Sequence, residues 1–196
     1  MAKSKLIRLL QNAHAGERAA AIAYYGHSLA VRPPESIEIK KIENEEWEHR
    51  MQLAEILFQL GAKPRMTREV LMLFIGVSIF VICRFAGWFN LFNFGWYYSM
   101  YGAGKLELGN INEYEVAAQY AIQAGYPKYV DCLLTMAEVE WDHELYFRSN
   151  CLKSRWEKVV KVWPEPSPRA FIRGNFKKIN PESIVEVPAA DNVSAT

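Results

Sequence analysis

A doubled pattern of carboxylates and imidazoles limits what this chain can fold into more than any other feature. The first copy is Glu17, Tyr24 seven residues on and His27 three further, followed by Glu46-x-x-His49. The second is Glu113, with Tyr120 and Gln123 at the same offsets, followed by Glu140-x-x-His143. The lone glutamate precedes the paired one by 29 residues in the first copy and by 27 in the second. On an α-helix, residues seven apart differ by about 20° in azimuth, so Glu17 stacks with Tyr24 and Glu113 with Tyr120. Residues three apart are also neighbours, so Glu46 and His49 reach one point, as do Glu140 and His143. Each copy therefore reads as a helical hairpin with acidic groups on its inner face.

The surrounding residues supply those helices. Helical periodicity runs over 5–30 and stops at Pro33-Pro34. A second helix starts near Glu35, with Ile39, Ile42, Leu53, Ile56, Leu57 and Leu60 inward, and ends at Gly61 and Pro64. Asn110 or Asn112 can cap a third helix running to Gly125, and Pro127 opens a fourth that ends near Leu152. Two hairpins, 5–60 and 111–152, joined by a long connection predict an all-α fold. The expected architecture is a ferritin-like four-helix bundle with a long apolar crossover between the two helical hairpins. The expected organisation is one bundle over 1–160 and an extended, partly ordered C-terminal tail over 161–196, which carries Pro164, Pro166, Pro168 and Pro181.

Four helices would aim four carboxylates and two imidazoles at the bundle axis. Unpaired carboxylates are too costly to bury, and two divalent cations would offset their charge. Carboxylate with one imidazole per metal suits iron or manganese, whereas thiolates would have pointed to zinc. The expected ligands are Glu17, Glu46, His49, Glu113, Glu140 and His143. Glu–His pairs also occur on plain solvated helices, and the run 43–48 is rich in Glu; the correctly spaced lone glutamates favour metal. Glu115 competes with Glu113 but points about 200° away, and only Glu113 keeps the repeat. Tyr24, Tyr120, His27, Gln123 and His14 are candidates to orient a ligand, or else ordinary packed or surface residues.

Other function classes find little support. A formal charge of +1 gives no basic face for nucleic acid. Three cysteines without C-x-x-C spacing form neither a disulfide framework nor a thiolate zinc site. Polar residues interrupt the opening MAKSKLIRLLQNAHAGERAA before a signal-peptide core can form, and the sequon at Asn192 then reads as chance. Gly102-Ala103-Gly104-Lys105 lacks the strand–loop–helix context of a phosphate loop.

From Val70 to Gly104 the only charge is Arg84. The run 70–83 would be about 21 Å long as a helix, short of a hydrocarbon core of roughly 30 Å. A single crossing would also put the two halves of the metal site on opposite sides of the bilayer. We therefore expect 70–104 to lie in the membrane interface, with a re-entrant hairpin or a crossover packed on the bundle as the other arrangements.

With these residues in place, the chain resembles the demethoxyubiquinone hydroxylases, di-iron monooxygenases of ubiquinone biosynthesis within the ferritin-like di-iron carboxylate superfamily. HAGERAAAIAYYGH (14–27) is similar to that family's His-Ala-Gly-Glu opening, and NEYEVAAQYAIQ (112–123) to its third-helix segment. EEWEH and EVEWDH supply the two Glu-x-x-His motifs. His27 stands where the family usually has Gln. The resemblance spans roughly 8–152 and implies two Fe ions held by the six expected ligands, with Glu46 and Glu140 bridging; Mn or a mixed Mn/Fe pair stays open. It further implies an O2-dependent hydroxylation of a polyprenyl quinone or related lipid, at the cytoplasmic side of a membrane as a peripheral protein. The electron donor is not specified, and a homo-oligomer is compatible with this. The alternatives are an iron oxidase, peroxidase or iron-binding protein without an organic substrate, and a non-enzymatic membrane-associated bundle.

Overall fold

The structure, a computed structural model, describes residues 1–86 and 94–178. Its helices are α1 (Ala2–Ser28), α2 (Glu35–Gln59), α3 (Met66–Ala86), α4 (Phe94–Gln123), α5 (Val130–Leu152) and α6 (Ala170–Lys178), with short 3-10 turns at Pro127–Tyr129 and Arg155–Lys158. The all-α bundle is as expected. α1 and α2 pack as one hairpin and α4 and α5 as another, and α1 also lies against α4.

Glycine ends two of the helices. Gly61 and Gly125 take positive φ values of 73° and 79°. In each case the following residue's N–H reaches back five positions, from Ala62 to Leu57 and from Tyr126 to Ala121. This satisfies carbonyls that the helix end would otherwise leave open.

The third bundle helix differs most from the sequence expectation. It begins at Phe94 rather than near Asn110, so Asn110 and Asn112 lie inside a 30-residue helix. Asn110 does not cap; its Nδ2 donates to Glu107 one turn earlier, at 2.9 Å. A polar side chain with a partner on the same helix has no need to end it.

The apolar crossover is helical as far as it is described; residues 87–93, which contain its Gly- and Asn-broken centre, lie outside the described residues. α3 runs parallel to α1 and is seated by glycines. A Cβ on Gly76 would meet the Ala19 backbone at 2.8 Å, and one on Gly26 the Phe80 backbone at 2.6 Å. The start of α3 is also tied down by charge. Buried Glu69 accepts from His14 Nδ1 at 2.7 Å and Arg50 Nη2 at 2.7 Å. Burial works to raise the Glu69 pKa, but these bonds outweigh it and hold the group ionised.

Two apolar layers fill the bundle. One is built on Leu6, Leu10, Leu53, Leu57, Leu133 and Met136, and the other on Tyr24, Ile39, Ile42, Tyr97, Met100 and Phe147. The acidic residues of the sequence pattern fall between them. The chain after α5 then crosses the bundle: the Tyr97 hydroxyl donates to the Val160 carbonyl at 2.5 Å, and Trp163 Nε1 to Glu144 at 2.7 Å. α6 packs on α5, where Arg173 bonds Glu138 and Asp131.

Candidate metal centre

Six side chains from the four bundle helices meet in the polar layer: Glu17 of α1, Glu46 and His49 of α2, Glu107 of α4, and Glu140 and His143 of α5. Their donor atoms form two overlapping clusters, Glu17/Glu46/His49/Glu140 and Glu46/Glu107/Glu140/His143, each within 4.8 Å. All six are buried, Glu46, Glu107 and Glu140 completely. Glu46 and Glu140 belong to both clusters, which is where bridging carboxylates would stand.

Five of the expected ligands converge, and Glu113 does not. It sits in the wall of a neighbouring cavity, where burial and the charge of Glu17 push its carboxyl up to about 7. Glu107 takes the fourth carboxylate position. The two lie six residues apart on α4, about 120° round the helix, so only one can face the axis here. The sequence carried a signal for Glu107: it has Tyr114 seven residues on, the same spacing as Glu17 and Tyr24.

These tyrosines bind crosswise. Tyr24 of α1 donates to Glu107 of α4, and Tyr114 of α4 donates to Glu17 of α1. Each hairpin thus steadies the lone carboxylate of the other. Glu45, unnoticed in the sequence, lies 2.9 Å from His143 Nε2 and leaves Nδ1 facing the cluster. An imidazole held this way has its tautomer and ring plane fixed by the outer carboxylate. Tyr120 packs at the edge of the first apolar layer, and Gln123 is exposed at the end of α4. His14 serves the Glu69 network and His27 the cavity, so neither orients a ligand.

The polar atoms are close without being mutually bonded. His49 Nδ1 is 2.9 Å from Glu140 Oε1, and His143 Nδ1 is 3.2 Å from Glu46 Oε1. Yet Glu17 Oε2, both oxygens of Glu46 and of Glu140, and both Nδ1 atoms have no aligned hydrogen-bond partner among the described residues. Buried polar atoms are rarely left so. Atoms that approach within about 3 Å while aiming past one another are disposed as ligands around a cation, whose bonds to oxygen and nitrogen are about 2.0–2.2 Å.

Electrostatics agree. Burial raises Glu17, and burial together with the charge of Glu140 raises Glu46 and Glu107 well above the carboxylate range. Glu140 goes the other way: burial works against it, but the imidazoles of His143 and His49 outweigh this. Burial likewise opposes protonation of His143 and His49, and the surrounding carboxylates overcome it. Without metal, the cluster must hold protons. Four carboxylates carry four negative charges, which two divalent cations cancel.

Beside the cluster lies a cavity of about 560 Å³ between α1, α3 and α4. Glu17 and Tyr24 reach its wall, and Met72, Ile75 and Ile79 of α3 line the opposite side. Ile82, Tyr98 and Leu106 line it too and are exposed, so it opens between α3 and α4.

Fold and site together define an all-α bundle whose core holds a carboxylate–histidine cluster able to bind metal ions. No protein-family model matches this chain, no curated protein matches it, and no solved structure matches it.

Proposed function

We propose that this chain is a di-iron monooxygenase that uses O2 to hydroxylate a quinone-like lipid taken from a membrane surface. The observation that carries the reading is a juxtaposition: a cluster of four carboxylates and two imidazoles shares Glu17 with a largely apolar cavity that opens beside an exposed apolar helix face. An iron handler needs no such cavity, which favours an organic substrate over the ferritin-type alternative.

The residues fit the metal pair. Glu17, His49, Glu107 and His143 would each serve one ion and Glu46 and Glu140 both. When bound, the pair would supply the activation of O2, which is the oxidant, with two electrons from an external reductant converting its second oxygen to water. The chain supplies geometry and dryness. Tyr24 and Tyr114 hold Glu107 and Glu17 in place, Glu45 orients His143, and the two apolar layers keep water from the cluster. The cavity gives an apolar substrate a route to the Glu17 side of the site.

The outer face of α3 supports docking at a membrane. Val70, Phe74, Val77, Val81 and Phe85 recur at helical spacing and are all exposed. Met66–Phe85 is long and apolar enough to cross a bilayer, with mean hydropathy 2.0 and only 17% of its most apolar window buried. A helix held along α1 with one bare apolar face is suited to lying in the interface.

Metal content after anaerobic Fe(II) loading tests the site, and ¹⁸O₂ incorporation into a short-chain methoxyquinone under reducing conditions tests the reaction. Two irons per chain, lost in Glu46→Ala/Glu140→Ala, and one labelled oxygen per product are expected. A wild-type chain that stays iron-free would end this reading.

A further inference from the structure

We propose that the imidazole of His27 anchors an oxygen-bearing, otherwise apolar ligand in the cavity between α1, α3 and α4. The proposal rests on the reading of that cavity as the substrate chamber and assigns the residue that fixes the ligand's head.

His27 is 3% exposed and lines the cavity, yet its Nε2 is buried with no hydrogen-bond partner among the described residues. A buried ring nitrogen without a partner is destabilising, and a ligand bonding there would relieve that cost. Two other polar residues of the cavity wall are already engaged: Ser99 Oγ donates to Cys83 Sγ at 3.5 Å, and Tyr24 is committed to Glu107. Burial pushes the His27 pKa down to about 4, so the ring is neutral near pH 7. The neutral ring offers a charged ligand no counter-ion. A neutral imidazole instead offers one donor and one acceptor, which suit a carbonyl or hydroxyl oxygen.

Position adds a reason. The contact between Gly26 and Phe80 places this stretch of α1 at the end of the cavity near Cys83 and Ser99. His27 is one helical turn beyond Tyr24, whose hydroxyl reaches Glu107. An oxygen held by His27 would therefore lie at the Cys83 and Ser99 end of the cavity, one turn beyond Tyr24, with the rest of the ligand in the apolar space between α1 and α3.

The test uses the full-length chain loaded with zinc, which performs no redox chemistry. The probe is 2,3-dimethyl-1,4-naphthoquinone, read by tryptophan quenching, with 2,3-dimethylnaphthalene as a competitor of nearly the same shape lacking oxygen. In His27→Phe the quinone should bind roughly tenfold more weakly while the hydrocarbon is unchanged, and His27→Gln should recover most of the quinone affinity. In wild-type chain labelled with ¹⁵N-histidine, the quinone should shift the His27 Nε2 resonance and the hydrocarbon should not, a readout independent of how the variants fold. Equal losses for both probes, an unaffected quinone, no saturable binding to wild type, or an unmoved resonance would each overturn the proposal. Because zinc protein is used, a chain that binds this way but hydroxylates nothing loses the proposed function and keeps the His27 anchor.

Discussion

Tyr24 and Glu107 stand 83 residues apart in the chain and are joined by a buried hydrogen bond from the α1 hydroxyl to the α4 carboxylate. With the return bond from Tyr114 to Glu17, it locks the two hairpins across the carboxylate–histidine cluster. Tyr24→Phe should remove one of the hydrogen bonds that hold Glu107, the other coming from Asn110, and weaken metal binding by about 10–100-fold, with little change in fold. Competition with a chromogenic chelator measures this. Unaltered affinity would mean that the hydroxyls only pack.

Substituting the two rival glutamates of α4 separates site from cavity wall. Glu107→Gln should lower the bound metal toward one ion per chain, whereas Glu113→Gln should keep the wild-type stoichiometry. Metal analysis after gel filtration decides it, and the reverse result would restore the repeat as first read from the sequence.

Acidification should destabilise the chain partly through His27. Its pKa is lowered from 6.5 to about 4 by burial, so the unfolded chain binds this proton first as pH falls. Stability is then complete above pH 6.5 and lost between 6.5 and 4, at most about 3 kcal/mol from this group. Chemical denaturation of wild type and His27→Gln across that interval should give a shallower pH slope for the variant.

The seat of α3 leaves no room for side chains at its glycines. Gly76→Ala would drive a Cβ to 2.8 Å from the Ala19 backbone. Helix must move from helix, at a cost of roughly 1–3 kcal/mol. The melting temperature should fall, and amide exchange should rise in α3 more than in α2 or α5.

The outer face of α3 should govern lipid association. Phe74→Glu/Val81→Glu places charge on exposed positions that support no core, so the melting temperature should hold. Flotation with liposomes should drop sharply. Equal flotation of wild type and variant would place the membrane contact elsewhere.

Much of the fold was legible because its signals are local. The stops at Pro33-Pro34, Gly61 and Gly125 act over a few residues, and Glu-x-x-His is a one-turn motif, so α2 and α5 with their four ligands emerge from spacing alone. α4 was harder. Its first four turns are apolar and glycine-containing, and its asparagines resemble caps. Only the partner at Glu107 and the surrounding helices reveal that the helix continues through them. The misplaced start then shifted the Glu–Tyr pair by six residues. Glu45 was beyond reach for a different reason: its role depends on α5 bringing His143 alongside, a tertiary fact with no local mark.

The notch at Gly104 has a consequence for the order in which the molecule comes together. Its missing side chain is replaced by the ring of Trp163, to which a Cβ there would come within 2.4 Å. Gly104 lies three residues before Glu107, and Trp163 also bonds the buried Glu144 of α5. All six ligands have left the ribosome once residue 143 has emerged. The groove beside one of them is filled only twenty residues later. A nascent chain halted between those points would own every ligand and still lack the wedge that sets α4 against α5, so any metal that needs the finished geometry would be held only after Trp163 has emerged.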